Sequence, residues 1–346
     1  CGLGARPGVV ALPPMNDVCV LGAGAWGTAL AKLLADKGLP TKLWAHEAAV
    51  AEAIDATHRN PRYLPGAELP DTLRATTDLE EALRGAELVV VVVPSHALRE
   101  VMVKARPFLP AGALLCSATK GIENDSLMLM SEVLVDVLGA EAAPRLTYLS
   151  GPSFAKEVAL RMPTAVVVAG EDEAHTHAVQ RAFATDRFRV YSSHDVVGVE
   201  VGGAMKNVIA IAAGAIDGLG FGHNSRAGMI TRGLVEIGRL AHKLGGEAFT
   251  VAGLSGMGDL VLTCTGDLSR NRTVGMELGR GRKLPDILAS LGHVAEGVKT
   301  TKSAYDLSLR EGVEMPITHE VYRVLYEGKD PAQAVVDIMT RELRRE

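Results

Sequence analysis

Lys206 is the only charged residue between Val201 and Gly214, in the run Val-Gly-Gly-Ala-Met-Lys-Asn-Val-Ile-Ala-Ile-Ala-Ala-Gly. An amine in apolar surroundings loses hydration, and its pKa falls toward the range where proton transfer works at neutral pH. The chemistry this suggests is acid–base catalysis. On an α-helix Gly198, Gly202 and Ala210 share the face of Lys206, and small residues there would leave room for a ligand beside the amine. The alternative reading is close helix packing with Lys206 snorkelling to water.

A different chemistry is written at Gly22-Ala-Gly-Ala-Trp-Gly27. These glycines follow a short apolar strand (residues 17–21), open the helix-forming run 28–37, and precede a second strand (41–45). In that β-α-β context Gly22 permits a tight turn and Gly24 lets backbone N–H groups approach a pyrophosphate. Gly27 lets the helix pack on the sheet, and the helix N-terminus favours the phosphate charge. The expectation is a dinucleotide site. At the tip of the second strand, where a carboxylate would hold the ribose hydroxyls of NAD, the chain reads Ala45-His46-Glu47. His46 weakens repulsion of a 2′-phosphate and so admits NADPH, while Glu47 keeps NAD open.

Two segments follow predicted strands and point at the same cleft, Ser117-Ala-Thr-Lys-Gly-Ile-Glu123 with Lys120, and Ser150-Gly-Pro-Ser-Phe-Ala155 with Gly151 and Ser153. Ligands of open α/β sheets bind outside the carboxyl ends of the strands. Further on, Gly256-Met-Gly-Asp259 precedes Gly266-Asp-Leu-Ser-Arg-Asn-Arg272. Ser269 suits an N-cap, which places Arg270 and Asn271 in a helix's first turn beside free N–H groups. An arginine there opposes the helix dipole, so it serves the local helix poorly and an anion well, with a bidentate fork added to the helix terminus.

The elements that position these residues are strands at 88–93, 113–116, 146–149, 165–168 and 189–191, with a helix over 173–185 between the last two. Unbroken apolar strands such as 88–93 are those of a parallel sheet buried on both faces. Strands stop near residue 192 and glycine-broken helices follow. The expected fold class is therefore α/β plus all-α, with a dinucleotide-binding, Rossmann-like doubly wound sheet domain over 15–192 and a helical substrate-binding domain over 193–346. Residues 1–14, ending Ala-Leu-Pro-Pro ahead of Met15, read as a disordered leader or a cloning remnant.

The chain has 346 residues, too many for one ordinary core. Its 36 basic and 41 acidic residues give a net charge of −5, which offers nothing to nucleic acid. Its apolar runs look shorter than the roughly 20 residues of a membrane span, so the expectation is a cytoplasmic protein without a span. Cys1, Cys19, Cys116 and Cys264 have no paired spacing, and the ten histidines form no metal motif; His175 and His177 point different ways on their helix.

The glycine loop with its tryptophan, the Lys120 and Ser153 segments, Lys206-Asn207, Gly256-Met-Gly-Asp259 and Ser269-Arg-Asn-Arg272 occur here in one order. Together they closely resemble the NAD(P)-dependent glycerol-3-phosphate dehydrogenases of the soluble bacterial type, over residues 17 to about 340. The resemblance implies reversible reduction of dihydroxyacetone phosphate to sn-glycerol 3-phosphate with NADP(H) or NAD(H), supply of phospholipid synthesis, and a homodimer. It implies Lys206 as proton donor and acceptor, and Lys120, Gly151, Ser153, Asp259, Ser269, Arg270 and Asn271 as substrate contacts. Cofactor contacts carry over to Ala25, Trp26, His46, Lys120, Ala155, Arg270, Val294 and Glu296. Two rivals are a dehydrogenase of β-hydroxy or sugar acids, whose anion clamp would suit a carboxylate, and a catalytically silent NADPH sensor, for which Lys206 would be dispensable.

Overall fold

The computed structural model describes residues 15–291 and 295–343. The expectations for residues 1–14 and for Val294 lie outside the described residues.

An eight-stranded sheet forms the first half. Its strands are β1 (Val18–Leu21), β2 (Thr41–Trp44), β5 (Leu73–Thr76), β6 (Leu88–Val91), β7 (Leu114–Ser117), β8 (Leu146–Ser150), β9 (Thr164–Gly170) and β10 (Phe188–Ser193), in the order 10-9-8-7-6-1-2-5. A separate antiparallel pair, β3 (Arg59–Asn60) and β4 (Leu64–Glu68), forms a small hairpin. Apolar side chains cover both faces of the large sheet. Leu30, Leu34 and Leu43 belong to one layer, and Leu98, Met102 and Val133 to the other. That is why β1 and β6 are buried at every position.

The sheet differs from the sequence reading in two respects. It is not parallel throughout, because β9 runs antiparallel to β8 and β10 follows β9. The connection between β8 and β9 holds only the short helix Ala155–Ala159, too little to carry the chain back along the sheet as a parallel crossover requires. In addition, the hairpin and β5 were not anticipated, since Pro61, Pro65 and Gly66 interrupt any apolar alternation there. The first helix, Ala25–Asp36, also starts inside the glycine loop rather than after it.

From Val196 onward the described residues are helical. The helix Val196–Gly218 runs through the centre of a third core with Ile237, Leu240 and Leu260 around it. Its glycines explain its packing. A Cβ on Gly275 of the helix Arg270–Gly279 would collide with Ile211 O, and one on Gly214 with Arg272 O. Two backbones therefore meet with no side chain between them. This helix also corrects the expectation about span length. Val196–Gly218 and the stretch Ala248–Thr265 are long and apolar enough, by length and composition, to cross a membrane, and the first is 89% buried inside the protein.

Cys19, Cys116 and Cys264 are free and buried, and burial pushes each thiol up to about 12. Such thiols pack as small apolar groups.

Candidate active site

The glycine loop turns at Gly22, whose φ of +119° is one L side chains rarely adopt. A Cβ on Gly27 would strike Gly22 O, whereas one on Gly24 would meet nothing within 4 Å. Each glycine thus has its own task, and the open space lies at Gly24, which caps the helix Ala25–Asp36 without any side-chain hydrogen bond. The N–H groups of that first turn, with Ala25 and Trp26 in it, are free to meet a phosphate. Trp26 Nε1 is buried with no hydrogen-bond partner among the described residues. Free N–H groups around an open cradle fit a dinucleotide. Ala155 begins the short helix that packs against Ala25–Asp36.

A lysine–carboxylate–lysine cluster is assembled from three distant segments. Asp259, 1% exposed, begins the helix Asp259–Thr265 directly after a π-helical turn, Leu254–Gly258. Its carboxylate accepts a hydrogen bond from Lys206 Nζ on Oδ1 and one from Lys120 Nζ on Oδ2, the latter at 2.6 Å. Lys120, from the loop after β7, also donates to Gly151 O at 3.3 Å, and Ser153 Oγ donates to the same carbonyl at 2.9 Å. Gly151 holds that turn with φ +134°, and a Cβ there would lie 2.9 Å from Val166 Cα.

Lys206 is 9% exposed. Loss of water drives its pKa down to about 8; the Asp259 carboxylate opposes that shift and the Lys120 ammonium adds to it. Burial therefore dominates the charge partners. The snorkelling alternative fails, because the amine is turned to a buried carboxylate. The reading of Gly198 and Gly202 also needs correction. A Cβ on Gly202 would lie 2.8 Å from Ser255 O, and one on Gly198 would collide with Asp195 and approach Thr250. Protein fills that space, since the π-helical turn docks there to deliver Asp259. The small residue facing the cluster is Gly203, whose Cβ would come 2.7 Å from Ser150 Oγ and 3.6 Å from the Lys120 stem. Ser150 Oγ is buried and has no hydrogen-bond partner among the described residues. Sequence reasoning passed over both residues, although they flank ones it named.

Ser269 caps the helix Arg270–Gly279 by accepting from Arg272 N at 3.2 Å. Arg270 is exposed at its first position. Half-buried Glu296 links this end to the cluster: desolvation raises its carboxyl, while the charges of Arg270, Lys206 and Lys120 pull it back down. The Asn271 side chain ties two helices together. Its side-chain amide donates to Asn207 Oδ1 at 2.9 Å and accepts from Gly297 N at 3.0 Å, which leaves its second Nδ2 hydrogen and its main-chain N–H to offer an anion. Arg272 is occupied by Asp217 and Asp267. No group of three or more histidine, cysteine, aspartate or glutamate residues suited to a metal occurs among the described residues.

At the dinucleotide end, His46 is exposed at the tip of β2. The Glu47 carboxylate is bound by Tyr63 Oη and Arg62 Nη1 from the hairpin. Neither residue was legible from sequence, because the hairpin that carries them was not.

This geometry joins a phosphate-binding glycine loop to a buried lysine–carboxylate–lysine cluster and an arginine-tipped helix. Residues 17–176 match the profile of the NAD-dependent glycerol-3-phosphate dehydrogenase N-terminus, and residues 195–336 that of its C-terminus. The chain belongs to the NAD-dependent glycerol-3-phosphate dehydrogenase family. It is 57% identical over 327 residues to a glycerol-3-phosphate dehydrogenase [NAD(P)+] of Myxococcus xanthus, covering 94% of this chain and 98% of the relative. It is 58% identical to that of Geobacter sulfurreducens, with the same coverage. The crystal structure of the Coxiella burnetii glycerol-3-phosphate dehydrogenase superposes with a TM-score of 0.91 at 41% identity, covering 95% of this chain and all of that one. As a member of the family, the dehydrogenase is an NAD(P)-dependent oxidoreductase acting on glycerol 3-phosphate.

Proposed function

We propose that Lys206 exchanges the proton in the reversible reduction of dihydroxyacetone phosphate to sn-glycerol 3-phosphate. The observation that carries this reading is the buried Asp259 carboxylate shared by Lys206 and Lys120. The bound nicotinamide supplies or accepts the hydride. As the carbonyl oxygen becomes an alkoxide, the Lys206 ammonium donates to it; in the other direction the neutral amine takes the alcohol proton. A group poised at about 8 holds both forms near neutral pH, which is what a reversible reaction needs. Asp259 fixes the amine, and Lys120 adds positive field toward the oxygen.

Arg270, the N–H groups of its helix start at Asn271, and Ser269 are the phosphate clamp in this reading, with Gly151 and Ser153 completing the substrate wall. Binding energy from the phosphate, remote from the reacting carbon, holds that carbon against Lys206. Ala25, Trp26, His46, Ala155 and Glu296 are the cofactor contacts in this reading, together with Lys120 and Arg270. Residues 15–192 are then the cofactor domain and residues 193–346 the substrate domain of a cytoplasmic homodimer supplying glycerol 3-phosphate for phospholipid synthesis.

The test is oxidation of NADPH and of NADH by the purified protein with dihydroxyacetone phosphate, and with dihydroxyacetone lacking the phosphate. Turnover with the first and almost none with the second supports the reading. Comparable turnover with both would remove the phosphate clamp, and dinucleotide binding without turnover would make the protein a sensor.

A further inference from the structure

The hairpin of β3 and β4 carries a second ionic device at the dinucleotide end. Asn60, 1% exposed, ties the hairpin to the glycine loop: its Nδ2 donates to Ala23 O and to Thr28 Oγ1, each at 2.9 Å. Its Oδ1 accepts from Tyr63 N at 3.1 Å. One buried amide thus fixes the position of residues 62 and 63 relative to the pyrophosphate cradle. Arg62 lies over the Tyr63 ring with its guanidinium carbon 5.2 Å from the centroid, which limits where the fork can point. The fork reaches Glu47 through Nη1, and its side chain remains 55% exposed. A guanidinium carries five N–H donors, so that one contact leaves capacity for a second oxyanion.

Glu47 directly follows the tip of β2, where a carboxylate that hydrogen-bonds a ribose diol would make the site select NAD. Here that carboxylate is drawn to the hairpin by Tyr63 and Arg62, and exposed His46 takes the tip. A ribose at this position would meet a cation and an imidazole before it met a free carboxylate. We propose that Arg62 is the residue that reads the 2′-phosphate of NADP(H), leaving Glu47 to Tyr63 when the phosphate arrives, and that it makes the chain prefer NADP(H) to NAD(H). The inference rests on the dinucleotide reading of the glycine loop and adds the specificity determinant to it. A phosphate dianion outcompetes a single carboxylate for a guanidinium because it brings more charge and three acceptor oxygens in the geometry the fork matches. Glu47 has its tyrosine partner to fall back on, so the exchange strands no charge.

The experiment is direct binding, followed by nicotinamide fluorescence, of NADPH and NADH to wild type, Arg62→Ala and Glu47→Gln, with no substrate present. Wild type should bind NADPH at least about tenfold tighter than NADH, the size of one charge-assisted contact. Arg62→Ala should weaken NADPH by about 10- to 100-fold and leave NADH within about twofold. Glu47→Gln, which removes the competing carboxylate, should tighten NADPH and leave NADH unchanged. Equal losses for both nucleotides in Arg62→Ala, no loss for either, or a selective loss of NADH binding in Glu47→Gln would each overturn the assignment while sparing the glycine-loop reading. Failure of wild type to bind either nucleotide would bring down both.

Discussion

The glycine loop and the lysine–carboxylate cluster are built in opposite ways. The dinucleotide end is made of backbone: Gly22, Gly24 and Gly27 lie within six residues, and each is glycine because a Cβ would collide there or fill the cradle. The cluster proposed to be reactive is made of side chains from residues 120, 206 and 259, joined by hydrogen bonds that span up to 139 residues. A site made of backbone must write its demands locally, as residues that only one amino acid can satisfy. A site made of converging side chains writes each demand separately, and only the fold shows that they meet. The first should break under small steric changes, and the second under changes of charge.

The largest effect is expected at the reactive end. Lys206→Met should lower kcat by about 100- to 10,000-fold, the usual contribution of a positioned acid, with NADPH binding nearly intact. Near-normal turnover in steady-state assays would remove Lys206 from the chemistry. At the substrate's far end, Arg270→Lys keeps the charge and loses the fork. It should cost about 1.5 to 3 kcal/mol in kcat/KM for dihydroxyacetone phosphate and scarcely matter for dihydroxyacetone. Equal losses on both substrates would mean that Arg270 serves the cofactor or the fold. At the dinucleotide end a single methyl is enough. Gly27→Ala should cost about 1 to 3 kcal/mol of fold stability, the cost of overpacking a filled position, and should weaken NADPH because Gly22 must move. Unchanged affinity by fluorescence titration would show that the loop has slack.

The same contrast explains what could be read in the sequence. The turn at Gly22 and the close packing at Gly27 were legible in the sequence, and apolar runs placed seven of the eight strands of the main sheet. Lys206, Lys120, Asp259 and Ser269 were legible as unusual residues, and family resemblance supplied their company. The rest depends on long-range packing. Gly198 and Gly202 looked like space for a ligand, yet the segment that delivers Asp259 fills that space. Asn271 was named as a ligand contact, and only the fold shows that its side chain also joins Asn207 to Gly297. The antiparallel direction of β9 follows from a connection too short for a parallel crossover, and the hairpin bearing Arg62 and Tyr63 left no periodic signal, since short, proline-interrupted strands have none to leave.

The central claim is that burial sets Lys206 near 8 so that one amine serves both directions. The direct measurement is kcat/KM for the substrate against pH, which reports the enzyme before substrate binds, for reduction and for oxidation at saturating cofactor, in wild type and in Lys206→Met. Reduction needs the ammonium, so its rate should fall as pH rises through about 8; oxidation needs the neutral amine, so its rate should rise through the same value. In Lys206→Met both inflections should vanish from the residual activity. Inflections that persist in the mutant, or that run the same way in both directions, would contradict the account.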